Sequence, residues 1–294
     1  MNLRSLLFVP GDSDRKLAKG ASSGADALIL DLEDSVAPAR KSLARDLVRD
    51  YLAAHAGGPG PQIWVRINPL DEGGLDDLAG VVRAAPVGIM APKIDGPLDL
   101  VRLGHYLDVL ERRDGVDRPI MMLPVATETP IAPFRLGHFA DHVLPRLFGL
   151  TWGAEDLASA IGASTNKGPD GEWAFTYRMV RSACLLAAKA SRVQAIETLY
   201  ADFRDEAGLR ASSAAAAQEG FTGRLAIHPA QVAAINEAFM PSEADVAHAL
   251  RVIAAFDAAP EAGAVGLDGK MLDIPHLKQA QRVIDRHDAH AASV

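Results

Sequence analysis

The chain has 294 residues, of which 49% are hydrophobic, enough for one large core or for two smaller domains. Its 30 basic and 38 acidic residues are interspersed and give a formal net charge of −8, so no basic block supports nucleic-acid binding. One cysteine excludes an internal disulfide, and no apolar run is long enough to predict a transmembrane helix.

The N-terminal stretch MNLRSLLFVPGDSD has a short apolar run, interrupted by Pro10 and Gly11, and no cleavage site of a signal peptide. Together with the single Cys184, this favours a cytoplasmic protein that does not bind membranes. Cys184 lies in a helical run, where a small core residue is expected in preference to a catalytic thiol.

Eight short apolar runs recur along the chain and predict strands. They are RSLLFVP (4–10), ADALILDLED (25–34), QIWVRIN (62–68), VGIMAPK (87–93), IMMLPVATE (120–128), VLPRLFGL (143–150), VQAIETLY (193–200) and RLAIHP (224–229). Segments with helical spacing separate most of them, and the clearest are 14–24, 39–56, 75–85, 99–115 and 174–191.

Apolar strands that alternate with amphipathic helices indicate a parallel sheet covered on both faces. Eight such units in about 230 residues fit an α/β fold of the (β/α)₈ TIM-barrel type. The alternative is an open doubly wound sheet, which usually has a glycine-rich phosphate turn after its first strand. Here that turn reads VPGDSDRK, which is not GxGxxG.

The pattern changes after residue 235. A helix is predicted over 242–259, with Ser242 as its cap, followed by a glycine-containing segment (260–275) that is expected to act as a hinge, and by a last helix (276–287). We therefore predict a catalytic barrel domain over residues 1–240 and a helical extension, or lid, over residues 241–294.

Polar residues stand at the C-terminal ends of the predicted strands, where the active site of a parallel barrel forms. They are Asp31, Glu33, Asp34, Arg66, Asn68, Lys93, Glu128, Glu155, Asp156, Glu197 and His228. Several convergent carboxylates predict a hard divalent cation such as Mg²⁺, Ca²⁺ or Mn²⁺. The sequence has no HxH or HExxH pair, which argues against zinc.

Each of these residues also has a structural interpretation. Glu128 could be a surface acid or a salt-bridge partner of Arg66, and Asp156 could be a helix-start acid favoured by the helix dipole. Lys93 could be structural. Of the three acids in 31–34, at most two can face a metal, and the others are expected to pair with basic side chains.

Two further features are open at this stage. His228, before Pro229, is expected to be a satisfied hydrogen-bonding residue more often than a base. Gly149 and Gly153 could only make a turn, or their backbone N–H groups could receive an oxyanion.

Seven motifs in fixed order resemble a known family: LLFVPGDSDRKLAKG, ADALILDLEDSVAPARKSLAR, WVRIN, APKI, VATETP, FGLTWGAEDLA and AIHPAQV. They resemble the citrate lyase β-subunit-like branch of the HpcH/HpaI aldolases, which includes malyl-CoA, β-methylmalyl-CoA and citramalyl-CoA lyases. The resemblance spans residues 3–240 and continues into the C-terminal segment.

The resemblance implies a TIM barrel in homotrimers or hexamers that acts on a CoA thioester and a 2-keto acid. It implies Mg²⁺ on Glu128 and Asp156, and a substrate carboxylate on Arg66. Glu33 and Asp34 are then expected near the metal through water.

The C-terminal segment GLDGKMLDIPHLKQAQRVI resembles the lid of the CoA-ester lyases, where an aspartate before a proline serves a neighbouring subunit. In this chain that residue is Asp273, which joins Arg66 and Glu128 as the expected catalytic residues. Substrate binding is expected at Arg66, Glu128, Gly153 and Ala154. The structural interpretation of Asp273 is an acid at the start of a helix.

The favoured function is therefore a Mg²⁺-dependent C–C lyase acting on a 3-hydroxyacyl-CoA such as malyl-CoA or citramalyl-CoA. Three alternatives stay open: the β-subunit of a citrate lyase complex, a lyase that also hydrolyses the thioester, and a catalytically silent barrel that acts as a binding protein. The segment STNKGPDGEW (164–173) departs from the pattern expected of malyl-CoA lyases, and we expect it to shape one wall of the substrate pocket.

Overall fold

The structure is a computed structural model that describes residues 3–55 and 57–291. Residues 1–2, residue 56 at the end of the predicted helix 39–56, and residues 292–294 at the end of the predicted extension lie outside the described residues. The described part falls into two compact units, residues 3–236 and residues 237–291. The boundary predicted at residue 240 lies a few residues beyond this division.

Eight parallel strands form the sheet of the first unit. Their bounds are β1 Ser5–Pro10, β2 Ala27–Asp31, β3 Gln62–Arg66, β4 Gly88–Ala91, β5 Met121–Pro124, β6 Gly149–Thr151, β7 Gln194–Glu197 and β8 Gly223–Ala226. The strand order is β5-β4-β3-β2-β1-β8-β7-β6. Parallel bridges from Met122 to Leu147 and from Val125 to Thr151 join β5 to β6, so the sheet is a nearly closed barrel.

Helices follow most of the strands, which confirms the predicted (β/α)₈ TIM barrel. Their bounds are α1 Asp14–Ala21, α2 Lys41–His55, α3 Gly74–Val81, α4 Pro97–Asp114, α5 Ala132–Arg135, α6 Glu155–Ala160, α7 Phe175–Ala190, α8 Glu206–Glu219 and α9 Val232–Ala238, which runs into the second unit. Within the described ranges, no helix combines the length and apolarity needed to cross a bilayer.

The sixth strand is much shorter than its predicted range of 143–150. Val143 is 91% exposed, and Leu147 N–H donates to the Leu144 carbonyl at 3.0 Å, so a turn occupies most of the apolar run. Pro145 has no N–H to give to a sheet. The prediction was therefore right about the existence of this strand and wrong about its bounds.

The barrel interior is filled by inward-facing apolar side chains from most of the strands, because both faces of a parallel sheet are buried. The cluster consists of Leu3, Leu6, Ala27, Ile29, Trp64, Met90, Leu123, Val125, Ile196 and Leu225. Trp64 is fully buried within it, and emptying such a site typically costs about 3–5 kcal/mol of stability. A packed interior leaves the rim of the barrel as the place for chemistry.

The second unit contains α10 Glu243–Asp257, β9 Ala264–Leu267, β10 Lys270–Asp273 and α11 Ile274–Ala291. Ser242 caps α10 as predicted, since its hydroxyl accepts the Asp245 N–H at 3.1 Å. The glycine-containing segment, expected as a hinge, is instead an antiparallel hairpin with Asp268 and Gly269 at its turn. Their φ values of 51° and 74° are those of a type I′ turn, which favours Asp-Gly.

Candidate active site

The C-terminal rim of the barrel brings together five of the residues predicted from the sequence. Arg66 ends β3, and Glu33 follows β2. Lys93 follows β4, Glu128 follows β5, and Asp156 stands in the first turn of α6. All eight strands are parallel, so their C-terminal ends meet at one rim and the side chains converge.

Arg66 is held in a fixed orientation. Its Nε and Nη2 donate to the two carboxylate oxygens of Asp31, each at 2.7 Å, and its guanidinium lies 4.7 Å from the centre of the Phe8 ring. Its Nη1 pairs with Glu33 Oε2 at 2.9 Å. A guanidinium has five N–H donors; Asp31 accepts from two of them and Glu33 lies beside a third, so two remain with which Arg66 can bind a carboxylate.

Lys93 connects the carboxylates of the rim. Its backbone N–H donates to Glu128 Oε2 at 2.7 Å, while its ammonium lies 2.5 Å from Glu33 Oε1, 3.3 Å from Asp156 Oδ1 and 3.4 Å from Asp34 Oδ1. Its φ of 49° is unusual for a side chain this large. Burial would lower the pKa of Lys93, but the hydrogen bond with Glu33 and the neighbouring carboxylates raise it instead.

The two buried glutamates of the rim do not favour the ionised form. Burial, the charge of Asp156 and the more distant charge of Glu33 raise the pKa of Glu128 to about 8, against the opposing effects of the Lys93 N–H and Arg66. Burial also raises the pKa of Glu33 to about 7, although Arg66 and Lys93 oppose the change. Glu33 Oε2 has no hydrogen-bond donor, since its contact with Arg66 has the geometry of an ion pair only.

These observations fit a divalent cation. Carboxylate groups that resist joint ionisation, and a buried carboxylate oxygen without a donor, are stabilised by a nearby positive ion. Among the described residues, no three histidine, cysteine or acidic side chains come together as a cage. Mg²⁺ typically takes one or two protein carboxylates and keeps several waters, so Glu128 and Asp156 are a suitable pair.

Gly153 allows the Glu128 carboxylate to occupy its position. A Cβ at Gly153 would lie 2.9 Å from Glu128 Cγ and 3.0 Å from its Oε1. The Gly153 N–H donates to Thr127 Oγ1 at 3.0 Å, so this N–H is not free to receive an oxyanion. Gly149 belongs to β6, where it pairs with Gln194 in the parallel ladder. Close approach, and not an oxyanion hole, is thus the structural reason for Gly153.

A cavity of about 250 Å³ opens beside these groups. The polar part of its lining includes Asp31, Arg66, Glu128, Glu155 and Asp156, while Gly153 and Ala154 line it through the start of α6. The apolar part of its lining consists of Phe8, Pro10, Val125, Trp152, Trp173, Leu199, Leu225 and Ile227. The polar residues at the strand ends did not predict these aromatic and aliphatic lining residues. Trp173 is the exception, since it ends the segment 164–173 that was expected to shape one wall of the substrate pocket.

A second groove, of about 570 Å³, runs from the same rim along α1. It shares Phe8, Pro10 and Ile227 with the cavity. Three exposed cations line it, all on α1: Arg15, Lys16 and Lys19. They belong to the first predicted helical segment. The sequence does not predict a binding role for them, because isolated basic residues on a helix are ordinary surface features.

Three other polar strand ends have structural roles. Glu197 is buried and accepts from Trp152 Nε1 and from Arg181 Nε, each at 2.6 Å. His228 accepts the Ala230 N–H at 3.2 Å, the satisfied role that was expected. Asn68 is buried in hydrogen bonds with Asp77, Lys41 and a backbone carbonyl.

Cys184 is fully buried on α7, and burial raises the pKa of its thiol far above the usual range, which supports a core residue and not a nucleophile.

Asp273 belongs to the second unit, at the junction of β10 and α11. Its carboxylate is exposed, and its Oδ1 lies 2.5 Å from His276 Nδ1. This junction does place an acid at a helix start, as the structural interpretation required. The catalytic role stays a prediction.

A TIM barrel whose C-terminal rim brings together buried carboxylates, a clamped arginine and a small cavity has the layout of an enzyme active site. The chain belongs to the HpcH/HpaI aldolase/citrate lyase family, whose model matches residues 4–229.

Individual relatives cover nearly the whole chain. It is 34% identical over 292 residues, 98% of this chain and 96% of the relative, to a (3S)-malyl-CoA thioesterase of Cereibacter sphaeroides. It is 35% identical to citrate lyase subunit beta of Escherichia coli, over 96% of this chain and 92% of that protein. The crystal structure of CitE from Mycobacterium tuberculosis with magnesium, acetoacetate and coenzyme A matches with a TM-score of 0.79, 32% identity and 98% coverage of both chains.

Proposed function

We propose that the protein is a Mg²⁺-dependent lyase that cleaves, or forms, a 3-hydroxyacyl-CoA such as malyl-CoA or citramalyl-CoA. The products of cleavage are an acyl-CoA and a 2-keto acid. The observation that carries this proposal is the rim cluster in which Lys93 links Glu128, Asp156 and Glu33 beside the clamped Arg66.

Glu128 and Asp156 would hold the metal, and Glu33 and Asp34 would bind its waters. When bound, Mg²⁺ makes the substrate hydroxyl more acidic and stabilises the charge of the keto acid that forms. The magnesium in the related CitE structure supports the choice of metal. The raised pKa of Glu128 adds independent support, because a buried carboxylate beside another carboxylate favours a positive ion.

Arg66 binds the distal carboxylate of the substrate with its two remaining N–H donors. Asp31 fixes the guanidinium from behind through two hydrogen bonds of 2.7 Å, so little entropy is lost when substrate binds. Gly153 and Ala154 contact the same part of the substrate from the start of α6, where both line the cavity.

The basic groove binds the phosphates of coenzyme A. Arg15, Lys16 and Lys19 suit the several phosphate charges of this cofactor, and the groove meets the cavity at Phe8 and Ile227. A thioester can therefore enter the cavity while its phosphates stay outside. The three cations of the groove thus favour a substrate that carries several phosphates, such as a free CoA ester.

The lyase step also needs an acid. When the C–C bond breaks, the substrate hydroxyl gives its proton to a base in the site and becomes the keto group. The electron pair of the bond moves to the carbon beside the thioester and leaves an enolate. We assign Asp273 of a neighbouring chain as the acid that protonates this carbon, and as the base in the reverse direction. A site completed from a second chain requires an oligomer, which we propose to be a trimer or hexamer.

One experiment tests the proposal and its alternatives. Purified protein with Mg²⁺ is incubated with malyl-, β-methylmalyl-, citramalyl- and citryl-CoA, and keto acid and free CoA are measured separately. Keto acid without free CoA is expected. Stoichiometric free CoA would identify a thioester hydrolase, as in the name of the Cereibacter relative. No turnover of any ester would overturn the proposal.

A further inference from the structure

The polar and the apolar residues that line the cavity suit different chemical groups of a bound molecule. Among the described residues that line it, Arg66 is the only cation, whereas Asp31, Glu128, Glu155 and Asp156 carry carboxyl groups. A second carboxylate on the bound keto acid would have to leave water beside these four acidic groups, which is costly. A methyl group in the same place would gain free energy by burial against the apolar lining.

Trp173 belongs to the apolar lining of the cavity and lies in the loop between α6 and α7. Lys167 and Trp173 form an antiparallel bridge across this loop, and the Gly168 N–H donates to the Glu172 carbonyl at 2.7 Å. On the other side, the Ala174 N–H donates to the Asn166 carbonyl at 3.0 Å. The loop is thus a hydrogen-bonded hairpin that fixes the backbone of Trp173.

The side chain of Trp173 is fixed as well. Its ring meets Trp152 edge-on at 5.3 Å, and Lys167 Nζ lies 3.3 Å from its centre. Trp152 cannot easily move, because it is fully buried and its Nε1 donates to Glu197. The edge-on aromatic pair and the cation–π contact both oppose rotation of Trp173 out of the cavity.

We propose that Trp173, held by Lys167, is a specificity-determining residue that fits the cavity to a keto acid with one carboxylate and a small alkyl group. The preferred keto acid is then pyruvate-like, and a dicarboxylate such as oxaloacetate is disfavoured. This inference rests on the proposed lyase function, of which it specifies the substrate.

The test compares citramalyl-CoA, which carries a methyl group, with citryl-CoA, which carries a carboxymethyl group at that carbon. The variants are Trp173→Ala and Trp173→Phe, with Lys167→Met to release the ring without removing it. Phe175→Ala is the matched control, since Phe175 is an aromatic residue two positions away that is 72% exposed. Thermal unfolding checks that each variant folds.

The wild type is expected to favour citramalyl-CoA in kcat/KM. Trp173→Ala should shift the ratio toward citryl-CoA by about tenfold or more, Lys167→Met should shift it less, and Phe175→Ala should leave it unchanged. If Trp173→Ala does not fold, Trp173→Phe carries the test. A wild-type preference for citryl-CoA, or a ratio that Trp173 variants leave unchanged, overturns the inference.

A binding experiment separates this inference from the proposed function. Isothermal titration measures pyruvate and oxaloacetate binding in the presence of Mg²⁺ for wild type and variants. If no ester is cleaved, the lyase proposal fails, yet selective pyruvate binding that depends on Trp173 would still support the specificity role. Equal affinity for both acids, unchanged in Trp173→Ala, would refute it.

Discussion

Replacing Glu128 with glutamine should remove the pH dependence that this carboxyl group gives to stability. Burial beside Asp156 raises the pKa of Glu128 from 4.5 to about 8. A carboxyl group whose pKa is higher in the folded chain than in the unfolded chain stabilises the fold below its unfolded pKa. That contribution is lost as the pH rises through the folded pKa, here between about 4.5 and 8.

The magnitude follows from the same values. At about 1.4 kcal/mol for each tenfold change in proton affinity, a rise from 4.5 to about 8 corresponds to about 5 kcal/mol as an upper limit. Glutamine has no such titration. The hydrogen bond from the Lys93 N–H can be retained by the amide oxygen, so any cost of the amide group should be a constant offset across the pH range.

The assay is denaturant unfolding in EDTA at a series of pH values, repeated with excess MgCl₂. The difference in unfolding free energy between wild type and Glu128→Gln should grow in favour of the variant between about pH 4.5 and 8 and then level off. Excess Mg²⁺ should stabilise the wild type, by about 2.7 kcal/mol at one hundred times its Kd, and should leave the variant nearly unchanged. Glu155→Gln is the matched control, since Glu155 lines the same cavity but is exposed.

Glu33 has a raised pKa too, so both proteins will retain some pH dependence and only the difference between their curves is informative. Parallel curves for wild type and Glu128→Gln would refute the reasoning from burial. Equal stabilisation of both proteins by Mg²⁺ would remove Glu128 from the metal site.

Three further predictions concern the same site. Arg66→Lys loses the two-point contact with Asp31, so keto-acid affinity measured by titration calorimetry should fall about tenfold or more, and unchanged affinity would leave Arg66 as a partner of Asp31 only. Gly153→Ala places a methyl group 2.9 Å from Glu128 Cγ, so kcat should fall by about tenfold or more while circular dichroism shows an intact fold; a normal kcat would argue against this close approach. Inactive Asp273→Asn and Glu128→Gln chains, mixed, dissociated and reassembled, should regain activity, and mixed oligomers without activity would show that Asp273 does not act across subunits.

Most of the barrel could be predicted because its strands are buried on both faces and therefore form continuous apolar runs. The sixth strand shows the limit, since apolar residues 143–148 look like a strand but Pro145 prevents a ladder and a turn takes their place. The hairpin of β9 and β10 carried a readable signal, the Asp268-Gly269 pair between short apolar runs. The glycines of this segment fit a hinge as well as a hairpin, so their presence alone does not distinguish the two.

The acidic and basic residues of the site could be predicted from the sequence, because a charge at the end of a buried apolar strand costs stability unless it has a partner or a function. Their pairing was not predictable: the sequence could not tell that Asp31 would clamp Arg66 while Lys93 reached Glu33 and Asp156. Apolar residues of the cavity carry no such signal, because a tryptophan in a loop has the same local pattern whether it lines a site or covers a core.

Lys93 combines two demands that no other residue type meets together. Its backbone adopts the left-handed conformation that glycine accepts without strain, and its ammonium balances the surrounding carboxylates. Lys93→Gly would relieve about 1 kcal/mol of backbone strain and at the same time remove the cation. Selection at this position should therefore keep the cation and tolerate the strained backbone, because glycine would leave the buried Glu33 and its neighbouring carboxylates without a compensating charge.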